Sequence, residues 1–223
     1  SPRTTILIYN NYQNPMSSSS SEQEMAEIAE VALKHDLWVR SDDAYFEILY
    51  RGSPKSILSY PGMDERTVVL YTFSKKFAMT GWRLGWLTGP AFAEDIIRDV
   101  ALYDNMGPPT FTQFGGIEAL QNGEDFMADQ LNLWKSNLDI IMDRLGNNPK
   151  IHISRPDSTF YAFFKVEGEP DCLAFAKRLI DPIANAYKRE YGLKIVGIIP
   201  GAIIGPRSNF DLDSSTAVPG MIR

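Results

Sequence analysis

The sequence predicts an α/β protein: a mostly parallel sheet with helices on both faces, plus a small C-terminal α+β domain. Three observations point to it. Apolar, β-branched runs recur near 4–9, 37–43 and 66–74, each stopping at polar residues as buried strands do. A helical pattern lies between the first two, so strand, helix and strand follow within some forty residues, the crossover unit that builds parallel sheets. After "GNNP" at 146–149 the pattern turns to short strands around one further helix.

Taken in order, "TTILIYNNYQNP" predicts a strand near 4–9 running into an Asn- and Pro-rich loop. Ser21 and Glu24 have capping-box spacing and open a helix over about 22–35, with Met25, Ile28, Ala29, Ala32 and Leu33 on its apolar face. "LWVRSDDAY" predicts a strand ending at Ser41 to Asp43, and Gly52, Pro54, Pro61 and Gly62 mark 46–65 as loop. "RTVVLYTFS" and "WRLGWLTG" are the third and fourth strands. Helices are expected at 91–105 and 110–121, separated by Gly107-Pro108-Pro109, and at 124–145, where Phe126, Leu131, Leu133, Leu138, Ile141, Met142 and Leu145 are the apolar positions. "KIHIS" and "FYAFFKV" predict short strands, followed by a helix over 171–190 interrupted by Pro182 and a strand at "LKIVGII". The division expected is a large domain at 1–130 and a smaller one at 131–223, with the boundary inside the long helix.

Composition narrows the function. The chain has 223 residues, 44% of them hydrophobic, enough for one large domain with a smaller partner. Lys and Arg total 22 against 28 Asp and Glu, a net charge of -6 that argues against nucleic acid or an anionic membrane as the main partner. Small molecules are the expected ligands. The single Cys172 closes no intramolecular disulfide, and His35 and His152 form no cluster with metal-ligand spacing. A cytoplasmic protein without a structural metal is the expectation, and no apolar run reaches the roughly 18 residues of a membrane span.

In an open parallel α/β sheet, ligands bind beyond the carboxyl ends of the strands. That edge would gather Asn11 and Asn14 after the first strand, Asp42 and Tyr45 after the second, and Thr72, Ser74 and Lys75 after the third. Neither histidine follows these strands, so a Ser-His-Asp triad is excluded. A lysine with a carboxylate, a phenol, an amide, hydroxyls and an arginine fits a phosphorylated, electron-withdrawing cofactor held by a lysine Schiff base. Each residue alone has an ordinary explanation as a solvated charge, a turn or a cap. Their order at successive strand ends is what singles them out.

"TFSKKFAMTGWRLG" (72–85) resembles the lysine signature of the class I/II, fold-type I aminotransferases, which use pyridoxal 5'-phosphate. In that signature Gly-x-Arg-apolar-Gly begins six residues after the cofactor lysine. Gly81, Arg83 and Gly85 therefore assign the role to Lys75 rather than Lys76. Thr72 stands where the family usually has Ser or Gly. "SDDAY" resembles the family's Asp-x-x-Tyr element, and "NNYQNPMS" its Asn-Pro loop with Ser17 for the usual glycine. "RPDSTFYAFFKV" resembles the Pro-x-Gly-x-Phe-Tyr strand with Ser158 for glycine, and "IIPGAIIG…MIR" the element that ends in the carboxylate-binding arginine.

The resemblance implies a role for each residue. Lys75 would hold the cofactor and move protons, Asp42 would pair with the pyridine nitrogen, and Tyr45 and Asn14 would bond the ring oxygen. Thr72, Ser74 and Arg83 would bind the phosphate, and Arg223 the substrate carboxylate. It implies transamination between an α-amino acid and a 2-oxo acid in a homodimer. Lyases, ring-forming synthases and ligand-sensing regulatory domains on the same scaffold stay open. It also casts the chain as an internal fragment of an aminotransferase, with apolar sheet and interface surface left exposed.

Overall fold

In the computed structural model the chain is described over residues 3–171 and, beyond them, at 174–176, 178, 179, 182, 185, 189 and 190. The expected strand at 193–199 and Arg223 lie outside the described residues. The chain divides into two compact units, residues 1–167 and 168–223. In the second, the Asp171 carboxylate accepts the Ala174 amide at 2.9 Å, starting a helical stretch.

The first unit is built on four strands in sequence order: β1 (Ile6–Tyr9), β2 (Trp38–Asp42), β3 (Thr67–Thr72) and β4 (Gly85–Thr88). β1, β2 and β3 run parallel, in registers that set Tyr9 against Ser41 and Ser41 against Val69. β4 returns antiparallel, with Thr72 opposite Gly85. The residues between Thr72 and Gly85 form only short helical turns and no crossover helix, and the fourth strand folds back on the third. Because the first three strands point the same way, their carboxyl ends at Tyr9, Asp42 and Thr72 share one edge.

Helix α1 (Glu22–Lys34) forms as its sequence dictates. Ser21 Oγ accepts the Glu24 amide, and the Glu24 carboxylate accepts the Ser21 amide at 2.8 Å. Its Met25, Ala29 and Ala32 pack with Tyr9, Val39, Ile57 and Met63 to bury one face of the sheet. Alternation along the strands puts Ile6, Ile8 and Trp38 on the other face, where all three are exposed, and Trp38 meets Phe92 edge-on at 5.9 Å. The apolar surface expected from the sequence is therefore present. On α3 (Glu94–Asn105) and α4 (Thr110–Asn122), Ile96, Val100, Phe111 and Phe114 are exposed as well.

Two local features depart from the sequence reading. The third strand ends at Thr72, and residues 73–76 form a single helical turn, α2 (Phe73–Lys76), capped by Thr72 Oγ1 accepting the Ser74 amide at 3.1 Å. Thr80–Trp82 is a 3-10 turn, so β4 is shorter than the predicted strand. The long helix α5 (Glu124–Gly146) leads to a hairpin-like pair, β5 (Ile151–Ile153) with β6 (Phe164–Val166). Met127 and Trp134 of α5 pack beside Tyr12, Tyr45 and Ile48.

Candidate active site

Lys75 owes its direction to its neighbours. Phe73, which opens α2, and Phe77, which caps its end, are both buried in a cluster with Met79 and Leu84. A residue midway between them in sequence points to the opposite side of the turn. Lys75 accordingly lies on the Tyr45 side, its Nζ 6.0 Å from that ring's centroid, and it makes no ion pair with a carboxylate among the described residues. Lys76 goes elsewhere. Its ammonium pairs with the Glu47 carboxylate and sits 4.9 Å from the Phe77 ring centroid. This side chain is only 23% exposed and is ion-paired.

Asp42 closes β2 and opens the next turn, where its Oδ1 accepts the Ala44 amide at 3.3 Å and its carbonyl accepts Asn10 Nδ2 at 2.8 Å. Period-two alternation sends the adjacent Asp43 inward. It is 3% exposed, its Oδ1 accepts Ser41 Oγ at 2.8 Å, and Oδ2 makes no hydrogen bond within geometric limits among the described residues. Burial pushes the Asp43 carboxyl up to about 6; the Ser41 bond opposes this and the neighbouring Asp42 adds to it. The turn brings Tyr45 to the edge, where its hydroxyl accepts Asn14 Nδ2 at 3.2 Å. That hydroxyl also lies 2.5 Å from the hydroxyl of Tyr161. Burial holds Tyr45 above the ordinary tyrosine range, so its hydroxyl is protonated at physiological pH.

Asn14 and Lys75 therefore both meet Tyr45. Thr72 and Ser74 stand on the same α2 turn as Lys75, and besides capping that turn Thr72 Oγ1 lies 3.4 Å from the Leu84 carbonyl. Arg83 is exposed in a left-handed conformation, φ 51, and donates to the Thr80 carbonyl within its own turn at 3.0 Å. Asn11 is a correction: it is buried, accepts the Ser20 amide at 2.8 Å and donates to the Lys55 carbonyl at 3.3 Å, bracing loops rather than facing the edge.

Two contributions were not legible in the sequence. Ser17, in the position where the resembled motif has glycine, adopts φ 57, the backbone region that glycine occupies most easily. Its buried hydroxyl bonds Thr159 Oγ1 at 2.6 Å and the Tyr161 carbonyl at 2.8 Å, while its own carbonyl accepts the Asp157 and Ser158 amides. Tyr161 itself appeared only as part of a strand motif; the Phe-Tyr pair in that motif was the available signal. The lysine, phenol, amide, carboxylate, hydroxyls and guanidinium along this edge match the groups that a phosphorylated pyridine aldehyde needs.

Comparison with known proteins agrees with the geometry. Residues 1–189 match the model of the family "Aminotransferase class I and II". The chain is 35% identical over 208 residues to the arginine–pyruvate transaminase of Pseudomonas aeruginosa, covering 92% of this chain and 50% of that protein. It is 36% identical over 167 residues to an aspartate aminotransferase of Musicola paradisiaca, covering 74% and 42%. Among solved structures, the aromatic aminotransferase of Pyrococcus horikoshii superposes with a TM-score of 0.70 at 30% identity, over 74% of this chain and 43% of that one. The aspartate aminotransferase of Thermus thermophilus with maleate gives 0.72 at 28%, over 81% and 48%. The chain spans about half the length of the curated relatives it matches. On its sequence, its fold and the residues along its sheet edge, this chain belongs to the class I and II aminotransferase family.

Proposed function

We propose that the protein transfers an amino group between an α-amino acid and a 2-oxo acid with pyridoxal 5'-phosphate as cofactor. The observation that carries this reading is the convergence of Lys75 Nζ on the Tyr45 ring, whose hydroxyl is in turn bonded by Asn14. When bound, the cofactor supplies an electron-withdrawing ring that stabilises negative charge at the substrate Cα.

The chain's own residues would do the rest. Lys75 would hold the cofactor covalently and, once released from it, carry the proton to and from the substrate Cα. Asp42 would keep the ring nitrogen protonated through its negative charge. Tyr45, whose burial favours the protonated hydroxyl, and Asn14 would donate to the ring oxygen. The Thr72 and Ser74 hydroxyls and Arg83 would hold the phosphate, for which Arg83 must give up its bond to the Thr80 carbonyl. Arg223 would bind the substrate carboxylate bidentately and so orient the Cα proton. The proposal includes a cytoplasmic homodimer and a small domain formed by residues 131–223.

Reduction of the cofactor-loaded protein with borohydride, followed by peptide mass mapping, tests this reading. The expected result is cofactor mass on Lys75, lost in Lys75→Ala and retained in Lys76→Ala. Fixation on Lys76, or none on either lysine, would refute it.

A further inference from the structure

The Tyr45 hydroxyl has one proton to give and room for two incoming hydrogen bonds. Asn14 Nδ2 can only donate, so it takes one of the two acceptor positions at 3.2 Å. Tyr161 Oη, 2.5 Å away, is the other neighbour, and either hydroxyl can be the donor of that pair. If Tyr45 spends its proton on Tyr161, nothing is left for a ligand. If Tyr161 donates, Tyr45 accepts twice and its own proton is left free for a ligand.

We propose that Tyr161 is a positioning residue of the active site: its hydroxyl donates to Tyr45 and thereby aims and strengthens the donation of Tyr45 to the cofactor's ring oxygen. An anionic acceptor at the edge selects this proton arrangement, because only then does Tyr45 have a proton to offer it. Hydrogen bonds in series also polarise one another, so a tyrosine that receives two donors gives its own proton more strongly.

The surroundings hold Tyr161 to this task. Its ring meets Tyr45 edge-on with centroids 5.6 Å apart and rests against Phe160 at 5.0 Å. Its backbone is fixed as well, by the Ser17 hydroxyl donating to the Tyr161 carbonyl and by the Tyr161 amide donating to Thr159 Oγ1 at 3.3 Å. Thr159 is tied to the Tyr45 loop too, with its amide on the Ile48 carbonyl and its carbonyl accepting the Tyr50 hydroxyl. The segment that carries Tyr161 is thereby pinned to both loops that present Asn14 and Tyr45.

This inference rests on the cofactor reading above, and the test separates the two. The holoprotein is titrated with pH while the visible absorbance of the bound cofactor is followed, in wild type, Tyr45→Phe, Tyr161→Phe and the double variant. Weakening the donation to the ring oxygen leaves more of its negative charge to hold the neighbouring proton, which raises the titration midpoint. Tyr161→Phe is expected to raise it by about 0.3–1 pH unit, the scale that one hydrogen bond sets. Tyr45→Phe should raise it further, and the double variant should match Tyr45→Phe alone. Replacing Tyr161 with a fluorinated, more acidic tyrosine keeps the ring packing and should lower the midpoint. An unchanged midpoint in Tyr161→Phe beside a shifted one in Tyr45→Phe would overturn the role of Tyr161, and so would full additivity in the double variant. A midpoint unmoved in Tyr45→Phe, or no cofactor band at all, would overturn the cofactor reading itself.

Discussion

Replacing Asp43 with asparagine should change how stability depends on pH, because this carboxylate is buried. Its carboxyl titrates at about 6 in the fold against an ordinary value of 3.8, chiefly because burial disfavours the charged form. Between those values the folded chain holds a proton that the unfolded chain has released. Folded molecules then bind more protons than unfolded ones, so stability falls as pH rises through this window. Below 3.8 the group is neutral in both states, and above about 6 its cost is complete. About two pH units of displacement correspond to roughly 3 kcal/mol over the whole window, of which about 2 kcal/mol falls between about pH 4.5 and pH 7.5. Asp43→Asn keeps the shape and removes the titration. Urea unfolding of both proteins at those two pH values reads the difference, and any constant effect of the amide cancels between them. Relative to the variant, the wild type should lose about 2 kcal/mol on going to the higher pH. A gap that stays flat, or widens in the other direction, would refute the assignment of the buried charge to Asp43.

Two further outcomes concern stability. Ser17→Ala removes the bonds to Thr159 and the Tyr161 carbonyl while keeping a side chain on a left-handed backbone, and should cost about 1–3 kcal/mol in urea unfolding. Ser17→Gly should cost about 1 kcal/mol less because it relieves that backbone; equal losses would refute the left-handed conformation. The two motif glycines should differ: a Cβ on Gly85 would come within 2.6 Å of the Tyr71 carbonyl oxygen, whereas one on Gly81 meets nothing within 4 Å. Gly85→Ala should therefore lose about 1–3 kcal/mol in thermal or urea unfolding by pushing β4 off β3, while Gly81→Ala stays within about 0.5 kcal/mol of wild type.

Much of the site was legible because its parts are local. Asp42 and Tyr45 are joined by one turn, and Lys75, Arg83 and Gly85 have a spacing that one strand-to-strand return fixes. The three parallel strand ends then follow from the α/β rule without any knowledge of packing. Asn11 was misplaced by the same logic. It follows the same strand as Asn14, and which of the two reaches the edge is decided by a loop folded around the Ser20 amide and the Lys55 carbonyl. The third strand is shorter than its composition predicts for a related reason: "TFS" has strand composition, but the Thr72 hydroxyl caps a helical turn there.

By itself the sequence determined the α/β class, the capped helix between the first two strands and the family. Those features depend on periodicity, capping and spacing within short stretches. Only the tertiary structure decided that β4 runs antiparallel and that Lys76 is spent on Glu47. It also decided that Tyr161 meets Tyr45 across 116 residues and that Ser17 latches Thr159 across 142. Such partners are set by how separate elements pack. A hydroxyl's role depends on which other donor or acceptor the fold brings within hydrogen-bonding distance, and no local pattern of residues encodes that distance.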